Sequence, residues 1–250
     1  MQAFITLMRR ELMAFFASIT GYVIIAAATF LIGLSFVVLI ANLGGDPSPM
    51  PVTELFYRTY FFWLIVLLAA PVITMRLFAH EKFSGTFETL MTTPVSDLQV
   101  VAAKFAAALI FYIVMWLPML ACLFVVGHHA RQSGALEPGT AGSLYLGVTL
   151  VGGLFLSLGC FASALTRSQT VAAMVTLVLG VSLFALGFLA ERIPVALHWQ
   201  SNALSHFALF EQMHDFARGV VDTRAVVLQV SLTLFFLFLT LRAVESRRWR

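Results

Sequence analysis

The side chains with the chemistry to bind a metal or act as nucleophiles are His80, His128, His129, His198, His206 and His214, with Cys122 and Cys160. Their spacing suits neither task. His128 and His129 are adjacent on a loop with no cysteine nearby, which makes a weak metal pair. Both cysteines lie in apolar blocks, where a free thiol packs as a small hydrophobe. The sequence has no G-x-x-x-x-G-K-[ST] phosphate loop, no H-E-x-x-H zinc helix, no G-x-S-x-G elbow and no C-x-x-C pair. The expectation is a chain with no catalytic residue, no metal ligand and no cofactor of its own.

A different kind of chemistry, the transmission of force, is suggested by the segment from Glu81 to Ser96. Gly85 and Pro94 punctuate it. Between them, Thr86–Thr93 can form a short helix with Phe87, Leu90 and Met91 on one side. Glu88 falls in its first turn, where a carboxylate favours the helix dipole. Ser96, Asp97, Leu98 and Gln99 then read as a capping box. That box starts a helix running through Lys104 into an apolar span. A short helix at a sharp turn beneath two spans is a lever for a partner that grips Phe83–Pro94. Phe87, Leu90 and Met91 argue against a fully solvated loop, although they would also suit a lipid surface.

The elements that hold this segment follow from composition. Of 250 residues, 60% are hydrophobic and 11% charged, against about 25% charged in a soluble domain. The apolar residues fall in long blocks, and a bilayer core needs about 20 of them as a helix. Six spans are expected, over residues 22–41, 59–75, 105–126, 144–165, 170–190 and 225–241 of a single 1–250 domain, with a kink near Pro118. The first block is too long for a cleavable signal and is expected to stay in the mature protein. Only Thr166, Arg167, Ser168 and Gln169 separate the fourth and fifth spans, a tight hairpin. Small residues four apart, Gly153 with Ser157 and Gly159 with Ser163, let helices approach closely, within the chain or in a dimer seam.

Basic residues orient the spans. With the N-terminus in the cytoplasm, that side holds Arg9, Arg10, Arg76, Lys82, Lys104, Arg167, Arg242, Arg247, Arg248 and Arg250, while Arg58, Arg131, Arg192, Arg218 and Arg224 lie outside. Both termini are then cytoplasmic. Residues 2–18 form an amphipathic helix expected in the inner interface, with Phe4, Leu7, Met8, Leu12, Phe15 and Phe16 opposite Gln2, Arg9, Arg10 and Glu11. The stretch from Asn42 to Arg58, rich in Gly and Pro, reads as an ordinary outer loop. Residues 191–224 are too apolar for a loop. Leu204, Phe207, Phe210, Met213, Ala217 and Val220 recur at helical spacing, with His206, Glu211, His214, Asp215, Arg218 and Asp222 between them, so a helix or helix pair dips into the outer interface.

None of the six spans contains Asp, Glu, Lys, Arg or His. Ion-driven transporters carry such residues inside the membrane as relays. Driving energy must enter here by another route, and a cytoplasmic partner pushing on residues 81–95 supplies one. The same emptiness argues against an intramembrane enzyme.

The coupling segment resembles that of ABC-2 type transporter permeases, which carry E-x-x-x-G-T-x-E-x-L-x-x-x-P between spans two and three. Glu81, Gly85, Thr86, Glu88, Leu90 and Pro94 match it. Leu204–Phe207, Phe216–Asp222 and the tail from Leu237 to Trp249 resemble the gliding-motility and nitrous-oxide-reductase-maturation branch. The resemblance covers essentially the whole chain. It implies an all-α membrane protein of six spans, with an N-terminal interfacial helix, a cytoplasmic coupling helix and outer re-entrant helices. Glu81, Phe83, Gly85, Thr86, Phe87, Glu88, Leu90, Met91 and Pro94 would then meet an ATPase subunit that binds ATP and Mg. His206, Phe207, Phe210, Arg218, Gly219 and Asp222 would belong to an outer gate, or would cap and pair structurally. The implied setting is the bacterial cytoplasmic membrane. The implied partners are the ABC ATPase, a second permease copy (a homodimer or a heterodimer) and lipid, without nucleic acid. Two readings follow. One is a permease that moves a substrate with ATP hydrolysed by a partner. The other is a non-transporting anchor that couples the ATPase to an extracytoplasmic auxiliary protein.

Overall fold

The computed structural model describes residues 2–43, 51–86, 95–129, 138–192 and 209–246. Every regular element among them is helical: α1 (Gln2–Phe16), α2 (Ile19–Leu43), α3 (Val52–Tyr57), α4 (Tyr60–Thr74), α5 (Ala79–Ser84), α6 (Asp97–Met115), α7 (Leu117–His129), α8 (Pro138–Leu165), α9 (Gln169–Arg192), α10 (Leu209–Ala217) and α11 (Thr223–Glu245). Among the described residues six stretches are long and apolar enough to cross a membrane: Ile19–Asn42, Tyr60–Ser84, Asp97–His128, Pro138–Leu165, Gln169–Gly187 and Thr223–Glu245. They correspond one to one with the expected spans, most with longer ends.

The third span is two helices in line. Pro118 has no N–H to donate and cannot continue an unbroken α-helix. The break falls just before it, at Trp116, whose N–H reaches both Tyr112 O and Ile113 O.

The bundle is built around α8, the most enclosed span, which packs against α4, α6, α9, α10 and α11. Its small residues explain that position. A Cβ on Gly147 would sit 2.8 Å from the Phe216 ring, on Gly152 2.0 Å from the Tyr112 ring, and on Gly159 2.0 Å from Thr74 Oγ1. The glycines thus admit α10, α6 and α4 in turn along one helix. Ser157 and Ser163 are fully buried inside the chain, so these small-residue pairs serve intramolecular packing. By contrast α2, α9 and α11 leave most of their apolar surface outward, as lipid-facing helices do.

The N-terminal helix α1 has no fully buried residue. It lies against α6 and α2 rather than on lipid alone. Phe15 stacks on Phe111 at 4.9 Å and Phe16 meets the same ring edge-on at 5.4 Å.

Candidate functional site

α4 ends at Thr74, and a turn over Met75–Phe78 leads into α5. The short helix closes at Gly85, whose φ of +75° lies in the left-handed region where glycine carries no steric penalty. Three contacts fasten α5 to the α8–α9 hairpin. Ser163 Oγ accepts from the backbone N–H of Phe78 and of Ala79, each at 3.1 Å, and so satisfies donors at the helix start. Lys82 Nζ donates to Ala164 O. Gln169 Nε2 and His80 Nδ1 lie 2.9 Å apart.

On its other flank α5 joins an ion network. Lys104 Nζ lies 2.9 Å from Glu81 Oε1 and 3.0 Å from Glu11 Oε1. Arg10 Nη2 lies 2.7 Å from Glu11 Oε1 and 3.2 Å from Glu81 Oε1. Two cations and two carboxylates therefore alternate, joining α1, α5 and α6. The Lys104 side chain is 2% exposed, and its ammonium also stands 5.6 Å above the Phe78 ring. A charge so enclosed is tolerable only when paired. At Glu11 burial pushes the carboxyl upward, but Lys104 and Arg10 outweigh it and hold the group below its ordinary value. The hydrogen bond to Glu11 raises Arg10 against its own partial burial.

The predicted coupling residues divide. Phe83 is 78% exposed, and Gly85 and Thr86 are exposed beside it. Glu81 instead turns inward, so any action of its carboxylate on a partner runs through the network. Phe87, Glu88, Leu90, Met91 and Pro94, with most of the helix expected over Thr86–Thr93, lie outside the described residues. Ser96 Oγ accepts from Gln99 N–H at 3.4 Å, as the capping box predicts.

At the opposite end the reading of Asn42–Arg58 as a loop needs correction. Val52–Tyr57 is a helix, α3, with every residue but Leu55 buried. Glu54, with its side chain 2% exposed, pairs with Arg58 at 2.9 Å, His214 at 3.0 Å and Arg218 at 3.4 Å. Thr53 Oγ1 donates to Ala217 O at 2.7 Å. α3 is thus a clamp on α10, the described part of the expected outer helix pair. The Gly- and Pro-rich run before Val52 hid it. The signal in the sequence was the i,i+4 spacing of Glu54 and Arg58.

The described gate residues have structural tasks here. Phe210 packs beside Trp63 and Tyr57, with ring centroids 5.8 and 5.3 Å away. Gly219 has a φ of +87°. Its N–H reaches Phe216 O while Val220 N–H reaches Asp215 O, the pair of bonds that closes a Schellman motif. Asp222 caps α11 through Arg224 N–H at 2.9 Å. His206 and Phe207 lie outside the described residues. The buried positions of α10 are Leu209, Met213, Phe216 and Ala217; Leu209 and Phe216 were missed, and Val220, expected on the apolar face, is 56% exposed.

Lys104, Glu11, Ser163 and Gln169 were also not foreseen as site residues. Lys104 had a visible signal: a single charge between a capping box and an apolar run. Ser163 and Gln169 had none, because their partners come from α5, far away in sequence. Elsewhere His128 stacks on Phe124 at 6.3 Å, and among the described residues no group of three His, Cys, Asp or Glu side chains is placed to hold a metal.

Six apolar spans among the described residues, five of them arranged around the glycine-lined α8, with a short elbow helix pinned at one end, define a multi-pass α-helical membrane protein. The family model described as ABC-2 family transporter protein matches residues 12–243. The chain belongs to that family, whose members are permease subunits of ABC transporters and work with an ATPase subunit. Comparison with curated proteins gives no match.

Proposed function

We propose that this chain moves a substrate across the bacterial cytoplasmic membrane, driven by ATP hydrolysed in a separate nucleotide-binding subunit that docks on α5 and the residues after it. Within the family we place it in the gliding-motility and nitrous-oxide-reductase-maturation branch, on the residues that resemble it. The excess of basic residues around α5 makes this end cytoplasmic, with both termini on the same side. Two copies form the pathway, and ATP with Mg binds only in the partner.

One observation carries the reading: α5 is bonded at once to the α8–α9 hairpin, to α6 and to α1. Because only the turn Met75–Phe78 separates it from α4, a push on α5 reaches the inner ends of spans two to five together. Phe83 gives the partner an apolar handle at the tip. Phe83→Asp is expected to abolish substrate-stimulated ATPase activity in the reconstituted complex while leaving membrane insertion intact. Wild-type rates with transport preserved would refute the docking assignment.

A second reading, the non-transporting anchor, draws support from Val220 and Val221, which are 56% and 50% exposed beside Arg218 at the far end. These side chains offer an extracytoplasmic auxiliary protein an apolar contact with a charged edge. A purified complex whose ATPase responds to such a protein, with no solute flux, would favour this reading.

A further inference from the structure

A cavity of about 690 Å³ opens at the elbow end, between α1, the first turns of α2 and the junction of α4 with α5. That volume lies within the ~300–1,000 Å³ usual for ligand sites. Its polar part contains Arg10, Arg76, Lys104, Glu11 and Glu81. Three cations against two carboxylates leave one positive charge. Geometry says which residue carries it. Arg10 and Lys104 share Glu11 and Glu81, whereas the Arg76 guanidinium donates to an uncharged group, Thr20 Oγ1, at 2.9 Å. A guanidinium has five N–H donors, and Arg76 lines the cavity with only one of them given to Thr20.

The placement of Arg76 and Thr20 narrows the ligand. Arg76 follows the last turn of α4 and Thr20 lies in the first turn of α2. Both mark the depth at which the spans leave the hydrocarbon. From there Ile24 and Val72 line the cavity toward the membrane interior, and Phe15 and Leu77 complete its apolar wall. The site is singly cationic at headgroup depth and apolar above it. Basic pockets between transmembrane helices bind acidic lipid head groups on these grounds.

We propose that this cavity holds one anionic phospholipid of the adjacent leaflet, with its phosphate on Arg76 and Thr20 and the start of an acyl chain against Ile24 and Val72. The site does not depend on which cargo is moved. A free anion would satisfy Arg76 but leave the apolar wall uncovered. A zwitterionic lipid would leave the surplus charge unbalanced.

The test is native mass spectrometry of the delipidated full chain in mild detergent, titrated separately with phosphatidylglycerol, phosphatidylcholine and soluble glycerol phosphate. One phosphatidylglycerol per chain is expected, bound more tightly than either competitor. Arg76→Gln should weaken it roughly tenfold, as loss of a hydrogen bond to a charged group does. Arg9→Gln, which removes the same charge from the exposed face of α1, should change it less than about twofold. Ile24→Trp keeps Arg76 but fills the apolar wall, and should abolish lipid binding whether or not Arg76→Gln folds. Equal losses in Arg76→Gln and Arg9→Gln, glycerol phosphate binding as tightly as the lipid, or unaltered binding to Ile24→Trp would each overturn the proposal.

Discussion

Lys104 Nζ stands 2.9 Å from Glu81 Oε1, a contact that joins the elbow helix to the foot of the third span. The side chains differ in enclosure, 2% exposed for Lys104 and 16% for Glu81. Loss of Lys104 would leave Glu81 and Glu11, themselves only 16% and 13% exposed, to share Arg10. Lys104→Met removes the enclosed one of the two cations that hold these carboxylates, and removing one partner of a buried pair costs about 3–5 kcal/mol. Partial access of water to Glu11 and Glu81 favours the lower figure. Unfolding of the detergent-solubilised protein should show a loss of about 3 kcal/mol, most of it regained when Glu11→Gln and Glu81→Gln are added. If the triple variant were no more stable than Lys104→Met alone, charge would not be the cause.

Ser163 serves α5 in another way. Its hydroxyl accepts two backbone N–H groups at 3.1 Å in a buried setting. Ser163→Ala leaves Phe78 and Ala79 N–H without this acceptor, at about 1–3 kcal/mol. The loss is local to the elbow, so amide hydrogen exchange over residues 78–84 should accelerate well before the bundle opens. Unchanged exchange there would show that the hairpin does not hold α5.

The spans were readable in the sequence because lipid imposes a one-dimensional code of unbroken apolar runs of sufficient length. Ser96 and Gln99 were readable for a related reason, since a cap is a local motif. What was hidden depended on pairing across the fold. Nothing near Lys104 announces Glu81 and Glu11, and Ser163 reads as a small packing residue until α5 is placed on it. α3 was lost to composition: the glycines and prolines before Val52 signalled a loop, whereas Thr53, Glu54 and Tyr57 follow helical spacing over too few residues to stand out. On α10 the expected apolar stripe caught Met213 and Ala217 but missed Leu209 and Phe216, because a nine-residue helix seated between α3 and α8 buries more than one narrow stripe.

Close approach along α8 gives an internally controlled prediction. A methyl group on Gly152 would meet the Tyr112 ring at 2.0 Å, whereas on Gly153 it would meet only Leu109 Cδ1 at 3.8 Å. Gly152→Ala must displace a buried aromatic ring, and such overpacking costs about 1–3 kcal/mol. Gly153→Ala, one position away, should be neutral or slightly stabilising, since alanine is the better helix former. Thermal unfolding of the two variants side by side decides this, and equal behaviour would refute the packing described for α6 against α8.

Glu11 predicts a pH dependence of definite sign. Its carboxyl is held below the ordinary 4.5 in the folded protein. A depressed carboxylate contributes stability that is fully present above the unfolded value and is lost as pH falls through the folded one. The wild type should therefore lose stability on acidification below about 4.5, whereas Glu11→Gln should start lower and show a shallower loss over the same range. Stability measured from pH 7 downward for both proteins would expose the error if the two curves ran parallel.

The outer cluster, built around one acid, behaves differently from the inner one. Glu54 is 2% exposed, yet its partners Arg58, His214 and Arg218 are 45%, 24% and 57% exposed. Glu54→Gln therefore leaves Arg58 and Arg218 in contact with water instead of enclosed, and pairs that water can screen are worth about 1 kcal/mol or less. The amide keeps an oxygen that can accept from Arg58 or His214, so its loss of stability should be well below that of Lys104→Met. The function of the pairing is to hold α10 against α3, and its weakening should be seen there. Hydrogen exchange over residues 209–217 should quicken in Glu54→Gln while the elbow at 78–84 stays unchanged, and the reverse pattern is expected for Lys104→Met. Were Glu54→Gln to destabilise the protein more than Lys104→Met, exposure of the abandoned partners would not be what separates the two clusters.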